Sequence, residues 1–376
     1  MSSGTHTAYA WLAYFFAFSG IFEFYFDIRT GSLIRSRVLC IYTRLFCLIS
    51  LLVVSYRTIA FSSSNAYYLT RSHVMALLLA VYPYIRWLGF VSCVYCAQRW
   101  QQRIFNMLQA LLKVERFIAE SHYCVTPLEK SHLQLLFWLR LLLQVPRTVA
   151  FIIYAFTAVD GLYIFVGALG SKTIVDELYF LTFTIIWQMC YTLMKLQRYI
   201  NQLYASPIPR KSKKEQKMLE VHRMYYRLIQ MTRDYCEVFK YPLACMLLIL
   251  VCMSCVTGCS YYRLLVGNHS DNSKPLGEWI TLLVNINYFL ELYLFALIAS
   301  MIGRIHEYTL HELRASLCDS DLVERSSDWL GLQLAFQDTS IKIFGLFKIN
   351  LQLFIPLVSG IALHIIYIIQ CDYNYM

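Results

Sequence analysis

The stretch Val38 to Tyr56, VLCIYTRLFCLISLLVVSY, carries one charge in a run long enough to cross a bilayer. A spanning helix needs about 20 mainly apolar residues, and inside the hydrocarbon it must satisfy its own backbone polar groups. The chain of 376 residues repeats this pattern. The expected spans are 38–56, 74–95, 133–156, 174–194, 241–261, 279–301 and 343–369. That pattern constrains the fold more than any motif: it predicts an all-α membrane protein, a single domain over residues 1–376 with seven transmembrane helices. Composition agrees. Charged residues make up 15% of the chain, against roughly 25% in soluble domains.

Before the first span, Tyr9 to Tyr25 is aromatic but is followed closely by Glu23 and Asp27, and no basic residue precedes it. It reads as a short interfacial or half-inserted helix rather than a signal peptide.

Orientation follows from where Lys and Arg fall. Segments 1–37, 97–132, 195–240 and 302–342 hold 3, 5, 11 and 4 of them, whereas 57–73, 157–173, 262–278 and the tail hold 2, 1, 2 and 0. The positive-inside rule therefore predicts a cytoplasmic N-terminus and an extracellular C-terminus. The one glycosylation tripeptide, Asn268-His269-Ser270, falls in an outer loop of that topology. The net charge of +10 is concentrated in the connection between the fourth and fifth spans, where Leu219, Met224, Leu228 and Met231 recur at near-helical spacing. An amphipathic cytoplasmic extension facing anionic inner-leaflet lipid accounts for the charge, and a nucleic-acid partner is not expected.

Most of the 13 cysteines lie in apolar runs, so no disulfide framework is expected. Cys252, Cys255 and Cys259 read as packing side chains, and no metal site or cofactor is expected. Enzyme motifs (a phosphate loop, His-Glu-x-x-His, Gly-x-Ser-x-Gly) are missing from the sequence. The inverted orientation argues against a G-protein-coupled receptor, and the two halves show no match of the kind transporters carry. Glu291, an acid well inside a span, reads as an interface residue satisfied by a partner. Arg140 and Arg147 read as lying on the cytoplasmic side of a third helix that enters the bilayer near Pro146.

The C-terminal stretch FQDTSIKIFGLFKINLQLFIPLVSGIALHIIYIIQCDYN carries the most specific signal. Phe344-Gly345-Leu346-Phe347, Ile349-Asn350 and Gln370 resemble the approach and end of the last helix in insect gustatory receptors. Leu363-His364 stands where that family has Thr-Tyr, and Cys371 where it has Phe. Ile365 replaces the Glu typical of the sugar-sensing clade, so the resemblance is to a divergent, non-sugar branch. It implies a ligand-gated non-selective cation channel that assembles as a homo- or hetero-tetramer in the plasma membrane of chemosensory neurons. It further implies a split seventh helix, with a cytoplasmic part over 328–341 and a pore-lining part over 344–370.

On that resemblance, Gln370 would form an amide ring at the pore mouth, with Cys371 beside it. Leu363, Ile366 and Gln370 share one helical face and would line the upper pore. His364 and Tyr367 would make a helix–helix hydrogen bond. The ligand would lie among spans two to six, against outer-half aromatics: Tyr154, Tyr179, Phe183, Trp187, Tyr261 and Tyr288. Such a lining suits a small, mostly apolar organic tastant with hydroxyl handles. A metabotropic receptor of inverted topology and a modulatory subunit dependent on siblings are the competing expectations.

Overall fold

The computed structural model describes residues 3–64, 73–120, 127–149, 161–205, 211–266, 275–315 and 321–373. It is built almost entirely from α-helices. In chain order these are α1 (Ser3–Phe18), α2 (Arg37–Ser64), α3 (His73–Arg99), α4 (Gln101–Glu120), α5 (Pro127–Leu142), α6 (described over 144–149), α7 (Gly161–Ala205), α8 (Lys211–Val266), α9 (Pro275–Ala315), α10 (Asp321–Ala335) and α11 (Leu351–Tyr373). Two antiparallel hairpins interrupt them: β1 (Phe24–Asp27) with β2 (Ser32–Arg35), and β3 (Lys342–Ile343) with β4 (Phe347–Lys348).

The helix predicted over Tyr9–Tyr25 ends at Phe18. Ser19 returns its hydroxyl to Phe15 O at 2.9 Å, and Gly20 takes φ +72°, a left-handed exit that only glycine adopts without cost. Beyond it the sequence switches from helical to strand period. Phe24 and Phe26 point into the core while Tyr25 and Asp27 remain half-exposed. The hairpin turn is closed by Asp27, whose carboxylate accepts from Arg29 N at 3.0 Å and Thr30 Oγ1 at 2.8 Å. Glu23 is buried at the base of the hairpin and pairs with Arg35 and Arg44, tying it to α2.

Among the described residues, five helical stretches are long and apolar enough to cross a membrane: Arg37–Ile59, Ala76–Arg99, Gln216–Cys259, Thr281–Leu313 and Leu351–Cys371. They overlap the first, second, fifth, sixth and seventh expected spans. The third expected span runs along α5 and α6 into 150–160, which lie outside the described residues. The fourth lies on α7, whose apolar run is broken by Asp176 and Glu177. Arg147 of the third segment is paired with Asp176 of the fourth, as described below.

The two long helices α7 and α8 carry the main core. Ile185, Ile186, Met189, Cys190, Leu193, Tyr225, Leu228, Tyr235 and Phe239 are all fully buried. Tyr235 donates to Thr182 O and Tyr225 to Thr309 Oγ1, both at 3.0 Å, so each buried phenol has a partner. α3 lies against α8 so closely that a Cβ at Gly89 would stand 2.6 Å from Ile249 Cδ1. α4 buries Ile104, Met107, Leu111 and Ile118 at helical spacing and turns its polar face outward. α10 packs on α8 and α9.

The seventh expected span is divided differently from the sequence reading. α10 ends at Ala335, and Phe344 does not begin the pore helix. Phe344 and Gly345 both take positive φ, +52° and +72°, at the tip of the β3–β4 hairpin, where Leu346 N donates to Ile343 O at 3.0 Å. A mirror-image turn of this type requires left-handed residues at its two centres. Phe344 tolerates that conformation while its ring packs edge-on against Tyr241, 5.4 Å away, where the fifth expected span begins. The helix starts only at Leu351, with Asn350 Oδ1 accepting from Leu353 N at 3.1 Å as its N-terminal cap.

Candidate ligand site and pore face

Three short sequence patterns converge in the middle of the molecule. On α5 and α6, Arg140, Gln144 and Arg147 stand at i, i+4 and i+7. On α9, Asn287 and Glu291 stand at i and i+4. On α7, Asp176 and Tyr179 stand at i and i+3. Each spacing places its members on one helical face. Arg140 Nη1 lies 2.7 Å from Glu291 Oε1, and Arg147 Nη1 lies 2.8 Å from Asp176 Oδ1. Arg147 also pairs with the second oxygen of Glu291. Arg140, Arg147, Asp176 and Glu291 are 2%, 3%, 5% and 3% exposed. Two guanidiniums face two carboxylates, so this buried cluster of four is paired within itself. It needs to be, because an unpaired charge removed from water costs several kcal/mol.

The reading of Glu291 as partner-satisfied holds. The sequence reading leaves Arg140 and Arg147 at a membrane edge without partners, whereas both are buried inside the protein and paired. Both turn inward, because Glu291 and Asp176 offer them partners that water would otherwise supply.

Aromatic rings enclose this centre. The Arg140 guanidinium lies over Phe180 and Phe183, 5.6 and 5.8 Å from their centroids, and that of Arg147 lies 4.4 Å from the centroid of Tyr288. Tyr179, Phe183 and Tyr288, three of the six predicted ligand-site aromatics, are therefore brought together. Trp187 is placed elsewhere. It donates Nε1 to Leu133 O at 2.8 Å and packs between Phe137 and Tyr191. Tyr261 packs edge-on with Trp279, 5.7 Å away, near the end of α8. Tyr154 and Asn268 lie outside the described residues. Sequence reasoning passed over Gln144 and Asn287, although their spacing from the arginines and from Glu291 was visible.

The predicted pore residues lie on α11. Leu363 and Ile366 are 67% and 51% exposed, Gln370 is exposed, and Cys371 is half-buried. The opposite side of the helix turns Ile361 and Ile368 inward. Ile368 packs with Cys255 and Cys259 of α8, as expected of small polarizable side chains. Contact is tight there, since a Cβ at Gly258 would come within 2.6 Å of Ile365 Cδ1. The predicted helix–helix role of His364 and Tyr367 is not seen within the chain. His364 Nδ1 lies 2.7 Å from Gly360 O of its own helix, and Tyr367 is 63% exposed.

Between α4, α8 and the segment leading to α11 lies a polar groove of about 980 Å³, lined by Arg103, Arg233, Lys240, Asp338, Lys342 and Phe344 among others. Arg103 pairs with Glu237 at 2.6 Å, and Asp338 with Lys342. Partial burial pushes the Asp338 carboxyl up, but Lys342 and the hydroxyl and N–H of Ser340 outweigh it. They hold the carboxyl well below the usual carboxylate range.

Long apolar helices around a paired ionic centre, with one helix left half-uncovered, define a multi-pass helical membrane fold. Two solved structures share it. The insect olfactory receptor OR5 from Machilis hrabei in complex with eugenol aligns over 97% of this chain and 98% of its own, with a TM-score of 0.72 at 12% identity. A structure of the same receptor described without eugenol aligns with a TM-score of 0.58 at 13% identity, over 96% of both chains. At these identities the likeness is one of fold. The sequence relationship is direct: the family model described as "7tm Chemosensory receptor" matches residues 9–375, and the chain belongs to that family. A Drosophila melanogaster relative named "Putative gustatory receptor 85a" is 26% identical over 368 residues, covering 96% of this chain and 91% of its own.

Proposed function

We propose that the chain is a gustatory receptor: a ligand-gated, non-selective cation channel subunit that detects a small organic tastant in the plasma membrane of chemosensory neurons. The observation that carries this reading is α11. Its Leu363–Ile366–Gln370 face is apolar, ends in an amide and is uncovered within the chain. Four copies around an axis would turn those faces into a pore whose Gln370 ring replaces part of a cation's hydration shell. Whole-chain membership in the chemosensory family and the fold shared with an olfactory receptor support the receptor half of the reading.

The same proposal includes seven spans in one domain, a cytoplasmic N-terminus, an extracellular C-terminus and glycosylation at Asn268. It also includes a tetramer, formed alone or with sibling receptors. The ligand enters the outer half of the bundle near Tyr179, Phe183 and Tyr288, and eugenol is a reasonable first probe, given the OR5 complex.

Patch recording in cells lacking G-protein signalling tests the channel. Currents that persist there are expected. Responses that vanish there but survive in G-protein-competent cells would instead indicate a metabotropic receptor. Gln370→Ala is expected to change cation permeability ratios or open probability without changing ligand sensitivity more than a few-fold, and unaltered permeation and gating would remove Gln370 from the pore.

A further inference from the structure

The ionic centre holds polar atoms beyond its four charged side chains. Asn287 is 3% exposed and donates Nδ2 to Leu143 O at 2.7 Å, which leaves its Oδ1 with no hydrogen-bond partner among the described residues. Gln144 Nε2 is buried in the same condition. The hydroxyl of Tyr179, a residue 4% exposed, lies beside the weak Cys93 thiol and has no hydrogen-bond partner among the described residues. Each sits next to the ion pairs: Gln144 on the stripe of Arg140 and Arg147, Asn287 one turn from Glu291, Tyr179 one turn from Asp176. Buried polar atoms are almost always matched, because leaving one unmatched forfeits its hydration without return. Here an acceptor, a donor and a hydroxyl are left over on the three helical faces that carry the ion pairs, and Asn287 reaches the residue next to Gln144 through Leu143 O.

Resting on the receptor reading above, we infer that Gln144, Tyr179 and Asn287 form the polar end of the ligand site. The ligand class they select is a neutral small organic molecule whose hydroxyl or carboxamide both donates and accepts. A plain hydrocarbon leaves all three atoms unmatched, and sites built to hydrogen-bond discriminate strongly against analogues that lack the group. A net-charged molecule is excluded from the other side. Arg140 and Arg147 are each already paired with a carboxylate, so an added charge would have to compete with Asp176 or Glu291 for its counter-charge. The rings supply the apolar wall for the rest of the molecule.

The test uses the full-length receptor in lipid nanodiscs and four matched probes: toluene, benzyl alcohol, benzamide and benzoate. Binding is read as a concentration-dependent rise in thermal midpoint, and evoked current is recorded separately. Benzyl alcohol and benzamide are expected to bind at least about tenfold more tightly than toluene or benzoate. Tyr179→Phe, which removes one oxygen, is expected to weaken benzyl alcohol binding roughly tenfold, the scale of one hydrogen bond. The midpoint of the unliganded protein should stay the same or rise. Asn287→Leu serves as the second variant. Toluene or benzoate binding as tightly as benzyl alcohol overturns the inference. So does the absence of binding by all four probes, the outcome if water fills the site, or unchanged affinity in both variants. Selective binding without current supports this ligand class and removes the channel reading, whereas currents indifferent to the polar group do the reverse.

Discussion

Glu291 binds two arginines at once, and its loss should expose how the centre is balanced. Glu291→Gln leaves Arg140 and Arg147 without the carboxylate that both contact, one buried positive charge in excess of the native balance. Breaking a buried pair from one side costs about 3–5 kcal/mol, so folded receptor recovered by size-exclusion chromatography should fall sharply. Adding Arg140→Met to Glu291→Gln restores the native balance and should recover much of that yield, and no recovery would show that the pairing is not what holds the helices. Asp338 makes a second residue-scale prediction. Its folded-state carboxyl is held low, so its contribution to stability is present above the ordinary carboxylate range and is lost as pH falls through and below it. The thermal midpoint should therefore drop less on acidification below about pH 5 in Asp338→Asn than in the parent protein.

At the scale of elements, the helices are legible in the sequence and the joints between them are not. The run from Phe22 to Asp27 alternates with period two but adjoins an aromatic helix of the same composition, so composition alone places the helix end too far along the chain. The Phe344-Gly345 turn was hidden because a phenylalanine with positive φ has no sequence signature; its conformation is stabilised by packing against Tyr241. The α8–α11 joint is set by size instead. Gly258→Val should push α11 away from α8 through Ile365, at a cost of about 1–3 kcal/mol from overpacking. A shift in open probability that Ile365→Ala reverses in the double variant would show that the contact positions α11; additive effects would show that it does not.

At the scale of the whole molecule, α11 matters because it is half-covered. Ile355, Leu363 and Tyr367 are 73%, 67% and 63% exposed, a face suited to lipid or to further copies of the chain. The proposed tetramer places the Leu363–Ile366–Gln370 line at the axis. Cross-linking of Gln370→Cys between subunits, with no cross-linking of Leu48→Cys on the outward face of α2, is the expected pattern. The reverse would place α2 at the centre.

The sequence by itself determined that this is a helical membrane protein, and its C-terminal motif pointed to the chemoreceptor family, because apolar length and local pattern are properties of continuous segments. It also located Tyr179, Phe183 and Tyr288 as aromatics worth following. Only the tertiary structure decided that Arg140 and Arg147 turn inward, that Asp176 and Glu291 receive them, and that Gln144 and Asn287 join the candidate site. A charge in an apolar helix has two ways to be tolerated, water at the membrane edge or a partner in the interior. Which one applies depends on residues up to 151 positions away along the chain, as with Arg140 and Glu291.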